Sequence, residues 1–176
     1  MIGPDSKLSL FEQTMLPHLD AAHNLARWLT RNPDDAEDVV QEAYLRAFRF
    51  FDGFRGGDGR AWLLAVVRNT ALTWLGRNKP SSQVTFDEEV HTSSLAEGTV
   101  ETQLVHDARF AELHNCLELL PSEFREVVVM REMEEMSYRD IAEACSAPIG
   151  TVMSRLSRAR RRLHECLQSR TKDRSK

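Results

Sequence analysis

The chain has 176 residues, 41% of them hydrophobic and 28% charged, with a formal net charge of −4. That length suits one compact domain or two small ones, and the apolar content rules out wholesale disorder. No apolar run approaches the roughly 18 residues that cross a bilayer, and the first residues lack a basic stretch followed by an apolar one, so neither a membrane-inserted nor a secreted protein is expected.

Almost every periodic stretch reads as helix. Leu8, Phe11, Met15, Leu19, Ala22, Ala26 and Leu29 recur at steps of three and four, with Pro17 expected to kink or split the segment. A second helix starts at a capping signal. Asn32 precedes Pro33 at the first helical position, and Asp34, Asp35, Glu37 and Asp38 sit at the positive end of the dipole. Its apolar stripe is Ala36, Val39, Val40, Ala43, Tyr44, Ala47, Phe48 and Phe51, a core face at helical spacing. FDGFRGGDG, with four glycines, breaks the helix, and a third runs from about Arg60 to Arg77. Trp62 and Trp74 on that third helix read as core residues rather than stacking platforms.

Residues 79–100 change character, being rich in Ser, Thr and acids without a helical period. They read as a linker between two small helical domains, residues 1–78 and 101–176. Helices resume at about Glu101 to Leu120 and again from Pro121 to near Glu135, followed by Ser137–Cys145 and about Gly150–Arg170. Ser137 and Asp140 have the spacing of a capping box. Val152, Leu156, Ala159, Leu163 and Leu167 form the buried stripe of the last helix, while Arg155, Arg158 and Arg162 occupy another face, with Arg160 and Arg161 nearby. A short helix, a tight turn and an amphipathic basic helix make a helix-turn-helix, whose second helix suits the DNA major groove.

The charge is segregated. Residues 1–79 carry 10 basic and 10 acidic groups; residues 80–135 carry 3 and 13, a net of −10; residues 136–176 carry 10 and 4, a net of +6. A basic end behind an acidic middle points to nucleic acid as a partner. The three cysteines, Cys116, Cys145 and Cys166, form an odd, sparse set, which points to a reducing cytoplasm and away from a disulfide framework. His114 with Cys116 and His164 with Cys166 are isolated pairs without zinc-site spacing, and no nucleotide-binding or nucleophile-elbow motif occurs. No metal, no cofactor and no enzymatic activity are expected.

Three stretches together resemble bacterial RNA polymerase sigma factors of the extracytoplasmic-function (ECF) group of the sigma-70 family. DAEDVVQEAYLRAF (Asp35–Phe48) is similar to the family's polymerase-binding helix. FDGFRGG (Phe51–Gly57) with RAWLLAVVRNTALTWL (Arg60–Leu75) resembles its −10 reading and melting unit. LELLPSEFREVVVMRE (Leu117–Glu132) and MSYRDIAEACSAPIGTVMSRLSRARRRL (Met136–Leu163) resemble its −35-binding domain. The resemblance implies an all-α protein of two small helical domains that directs promoter-specific initiation in the cytoplasm. Its partners would be core RNA polymerase, through the β′ and β subunits, promoter DNA and an anti-sigma factor.

Carried over residue by residue, the resemblance assigns polymerase binding to Asp38, Gln41, Glu42 and Leu45 on the outward face of the second helix. It assigns −10 contact to Phe54, Arg55, Arg60, Arg68 and Asn69, with Phe54 and Asn69 lining the pocket for a flipped base. It assigns −35 contact to Arg131, Thr151, Met153, Ser154, Arg155, Arg158 and Arg161. The acidic linker would thread near the polymerase active centre. Three positions depart from the family pattern: Ser146-Ala147 replace Gly-Val in the turn, Glu135 stands where glycine is usual, and Met153 where Lys or Arg is common. The turn is therefore expected to need a non-glycine residue in the left-handed region. Two other function classes fit parts of the chain: a stand-alone helix-turn-helix regulator, and a sigma-like decoy for an anti-sigma protein.

Overall fold

The computed structural model of the chain describes residues 4–78 and 100–174, and among these it contains helices and turns but no strand. The expected linker falls outside the described residues except for Val100, which opens a helix.

Helix α1 (Pro4–Met15) and α2 (Leu19–Thr30) are separated by a 3₁₀ turn over Leu16–His18, so Pro17 splits the segment. The turn also rotates the helical phase. Phe11, Met15, Ala22, Ala26 and Leu29 are buried, but Leu8 and Leu19, expected on the same stripe, are exposed. Helix α3 (Pro33–Phe50) begins at Asn32, whose Oδ1 accepts from the backbone N–H groups of Asp34 and Asp35 at 2.8 and 3.1 Å. Helix α4 (Gly59–Arg77) begins at Asp58, whose carboxylate accepts from Ala61 N–H. Between them Gly56 and Gly57 have φ of 82° and 97°, a conformation strained for any side chain. Helices α2, α3 and α4 pack on one another, and α1 lies along α4. The ring of Phe11 meets Tyr44, Phe48 and Phe51 edge-on, closing the core. The Tyr44 hydroxyl donates to the Met15 carbonyl, and burial pushes its pKa up to about 12.

The C-terminal helices are α5 (Val100–Glu118), α6 (Ser122–Val128), α7 (Tyr138–Ala144) and α8 (Ile149–Arg174). A π-helical turn over Val129–Met133 extends α6, and the chain leaves it through Glu135 at φ 51°. Glu135 and Ser146 (φ 49°) thus both adopt the left-handed backbone for which glycine is usual, as their places in the sequence led one to expect for the turn. Ser137 caps α7 by accepting from Asp140 N–H. Asp140 is too short to complete the box and instead accepts from the Ser137 hydroxyl. Ile141, Val152, Leu156 and Ala159 are fully buried between α7, α8 and α6; Leu163 and Leu167, further along the same stripe, are only half-buried. Truncating Leu156 to alanine would cost roughly 2–5 kcal/mol.

One expectation is overturned. Cys116 on α5 and Cys166 on α8 form a disulfide, with a Cα–Cα distance of 5.9 Å. Fifty residues separate them, and only the packing of α8 against α5 brings them together, which no local spacing reveals. Cys145 remains a free thiol.

Candidate nucleic-acid interface

The periodicity that buries one face of α3 presents the other to solvent. Asp38, Gln41 and Leu45 are exposed there, with Leu45 at 59%, and Glu42 pairs with Arg46 one turn on. An acidic rim around a bare leucine is a surface suited to a basic, partly apolar partner.

The turn after α3 and the outer face of α4 hold the expected −10 residues. Phe54 is half-buried, stacked on Phe51 at 5.8 Å and tilted against Trp62 at 5.4 Å. Its ring is therefore held as a wall by the core rather than displayed freely. Trp62 and Trp74 both pack against the core, as read from their spacing. Arg55 and Asn69 are exposed, and the Asn69 amide oxygen accepts a long bond from Arg68. Arg60 and Arg68 do not face open solvent.

Both arginines are covered by the C-terminal helices. Arg68 forks onto Glu126, Nε to Oε2 at 2.8 Å and Nη2 to Oε1 at 3.1 Å, and its Nη1 donates to the Ala144 carbonyl at 3.2 Å. Arg60 pairs with the Glu134 carboxylate at 2.5 Å and also donates to the Glu134 carbonyl; Asn24 of α2 donates to the same carboxylate. The side chains of Glu126 and Glu134 are each only 5% exposed. Burial works against the Arg68 charge, but Glu126 more than offsets it, so its pKa ends above the ordinary value. Removing one member of such a buried pair costs about 3–5 kcal/mol, because the other charge is left uncompensated.

The helix-turn-helix consists of α7, the turn through Ser146, and α8. Met153 (53% exposed), Ser154, Arg158 and Arg161 point outward, and Thr151 at the start of α8 is half-buried. Met153 sits one residue, about 100° of helix rotation, from fully buried Val152. It borders a shallow hollow with Tyr138, Leu156, Ser157 and Arg160. Arg155 lies lower on the flank, 3.6 Å from Glu123 and 3.7 Å from Glu126. Arg160 pairs with Glu132, Arg162 stacks over Phe124, and Arg131 stacks over Tyr138 while donating to the Met136 carbonyl. The basic face thus divides into outward Arg158 and Arg161 and a set of arginines with partners inside the fold.

Four side chains at the junction have roles that their sequence positions did not show. Glu126 and Glu134 carry the ion pairs just described. Arg125, 4% exposed, meets backbone carbonyls instead of carboxylates: it donates to Leu117, Glu118 and Leu120 at the end of α5 and to Trp28 near the end of α2. It so caps the negative ends of two helices, and burial, then the nearby Arg31 charge, lowers its pKa. The Cys145 thiol lies 3.8 Å from Glu126, and burial followed by that carboxylate pushes its pKa up to about 11. The available signal was the run FREVVVM, where two charged residues interrupt an apolar stretch at phases that the helix buries. No cluster of metal-binding side chains occurs among the described residues, and no helix there is long and apolar enough to cross a membrane.

Known proteins match both halves. Residues 15–80 match Sigma-70 region 2, and residues 110–163 match Sigma-70, region 4. The chain is 37% identical over 143 residues to the RNA polymerase sigma-H factor of Pseudomonas aeruginosa, covering 76% of this chain and 74% of that one. It is 31% identical over 166 residues to the ECF RNA polymerase sigma factor SigE of Mycolicibacterium smegmatis, covering 94% of this chain but 64% of that relative's length. Among solved structures it resembles the sigma factor RpoE in complex with the anti-sigma factor NepR from Bartonella quintana. There the TM-score is 0.71 at 32% identity, covering 90% of this chain and 96% of that one.

Proposed function

This chain belongs to the extracytoplasmic-function (ECF) group of the sigma-70 family, and on that footing we propose that it directs promoter-specific initiation by core RNA polymerase. The observation that carries the proposal is the pairing of two matched regions in one chain, each with its own exposed surface: the acidic, leucine-centred face of α3 and the outward face of α8. A stand-alone regulator would need only the second.

The division of labour follows from the chemistry of each surface. Residues 1–78 would form the unit that docks on polymerase through Asp38, Gln41, Glu42 and Leu45 and opens the −10 element. Opening requires a base to leave the stack, at a cost of a few kcal/mol, and a pocket that receives it. Phe54, fixed by Phe51 and Trp62, supplies a flat wall, and Asn69 supplies an amide able to pair with a base edge. Arg55, Arg60 and Arg68 would neutralise the strand's phosphates. Residues 101–176 would place α8 in the major groove of the −35 element. There Thr151, Met153, Ser154 and Arg158 face base edges, while Arg131, Arg155 and Arg161 serve the backbone. The residues between the units tether them, and an anti-sigma factor in the cytoplasm restrains the whole.

Reconstitution tests the reading. Core polymerase given this chain should initiate at specific promoters. Phe54→Ala or Asn69→Ala should spare polymerase binding yet lose the permanganate-reactive bubble, and a pre-melted template should restore much of the activity. Binding without initiation at any promoter would sink the proposal in favour of a decoy. Equal loss on duplex and pre-melted templates would place Phe54 and Asn69 in packing alone.

A further inference from the structure

Resting on that assignment of α4 to the −10 strand, we propose that Glu126 and Glu134 form an internal latch, occupying in the free protein the arginine seats that promoter phosphates take when the two helical units part.

A carboxylate and a phosphate make the same demand on a guanidinium: two parallel N–H donors in a planar fork. Arg68 meets Glu126 with that fork, at 2.8 and 3.1 Å. Arg60 meets Glu134, and Asn24 supplies a further donor to the same carboxylate. Both carboxylates come from the C-terminal unit and both arginines from the N-terminal one. Both acids are 5% exposed. Two arginines of the face that would read single-stranded DNA are thus neutralised and covered by α7 and by the turn after α6, while Arg55 and Asn69 stay exposed.

A latch of buried charges must also be able to open, and Glu126 has the means. Beside Arg68 it has Arg155, from its own unit, with Nη1 at 3.7 Å from Oε1. When α4 departs, Arg155 is already in place to close on the carboxylate, so no buried charge is orphaned. Arg68 then enters water or meets phosphate. Among the described residues Glu134 is held by Arg60 and Asn24, and both leave with the N-terminal unit. Glu134 must be hydrated as the units separate. Opening is therefore a counter-ion exchange at Glu126 coupled to exposure of Glu134.

The test uses the full-length chain. Small-angle scattering reads separation of the units. A labelled single-stranded oligonucleotide of mixed sequence, whose phosphates suffice to engage freed arginines, reads access to α4. Glu126→Gln, Glu134→Gln and the double variant should increase the radius of gyration. They should tighten oligonucleotide binding about tenfold, the gain expected when a largely closed protein becomes largely open. Glu143→Gln, an exposed acid on α7, makes the same charge change outside the junction and should do neither. Arg68→Gln, which leaves the C-terminal unit untouched, should also expand the protein, and far-ultraviolet circular dichroism checks that helices persist in each variant. Should one variant fail to fold, the other pair decides alone. Unchanged dimensions in all variants, or the same gain in binding from Glu143→Gln, overturn the latch. Initiation by the unmodified chain is scored separately. Its success with an unresponsive junction rejects the latch and keeps the sigma-factor reading; its failure with variants that expand does the reverse.

Discussion

Reduction of the Cys116–Cys166 bond is expected to destabilise the C-terminal helices strongly. The two residues lie 50 positions apart. A cross-link closing a loop of that size removes about 14 cal/mol/K of entropy from the unfolded ensemble, or about 4 kcal/mol at 25 °C. For a unit of fewer than about 100 residues, each kcal/mol moves Tm by about 4–8 °C, so a drop of roughly 15–30 °C follows. Thermal melts by circular dichroism, with and without a phosphine reductant, measure it. Cys166→Ser is the better genetic counterpart, since Cys166 is half-buried whereas a serine at fully buried Cys116 would add an unsatisfied hydroxyl. Coincident melts of oxidised and reduced protein, or a non-reducing peptide map in which Cys116 is free, would refute the reasoning.

Two further outcomes are expected. Met153→Arg should leave the melting temperature close to that of the parent, because Met153 is 53% exposed; it should tighten binding at many −35 sequences if the new contact is to phosphate, or select guanine at one position if it reads a base. A large fall in Tm with unchanged base preference would place Met153 in the fold instead. Cys145 should resist alkylation: with its thiol pushed up to about 11 from 9.0, the thiolate at pH 8 is about a hundredfold scarcer than in an unperturbed thiol, and iodoacetamide should react far more slowly than in the urea-unfolded chain. Because the folded thiol holds its proton more tightly, its contribution to stability is intact below about pH 9 and lost towards pH 11. Equal rates in folded and unfolded protein would contradict the burial.

The helices and their caps were legible because their causes are local. Asn32 before Pro33, Ser137 before Asp140 and the split at Pro17 each act within a few residues, and each appears where the pattern placed it. The outward faces of α3 and α8 were legible for the same reason, since burial of the apolar stripe determines what remains outside. The place of Leu19 was missed because the 3₁₀ turn before it changes the angular step per residue, which a uniform 100° step ignores; Leu8 precedes that turn, shares α1 with buried Phe11 and Met15, and is exposed although its spacing fits their stripe. The disulfide and the pairs from Arg60 and Arg68 join positions 50 or more residues apart. Nothing in a one-dimensional pattern distinguishes an arginine that awaits phosphate from one already paired with a carboxylate.

That ambiguity changes what the charge segregation means. The net of −10 over residues 80–135 supplies carboxylates able to imitate the charge of nucleic acid. Two acids with the geometry for such imitation, Glu126 and Glu134, sit within folded backbone, at the end of the acidic segment. The distinction matters energetically. An exposed acid on a tether attracts arginine weakly and is screened by salt, contributing about 0–1 kcal/mol. A buried carboxylate held in a fork with arginine is screened far less and has a defined direction, so it can hold one arrangement of two helical units against another. The same burial makes the pair costly to leave half-made, which is why Arg155 beside Glu126 matters more than its distance of 3.7 Å suggests. It supplies the second state with a partner for the charge that the first state leaves behind.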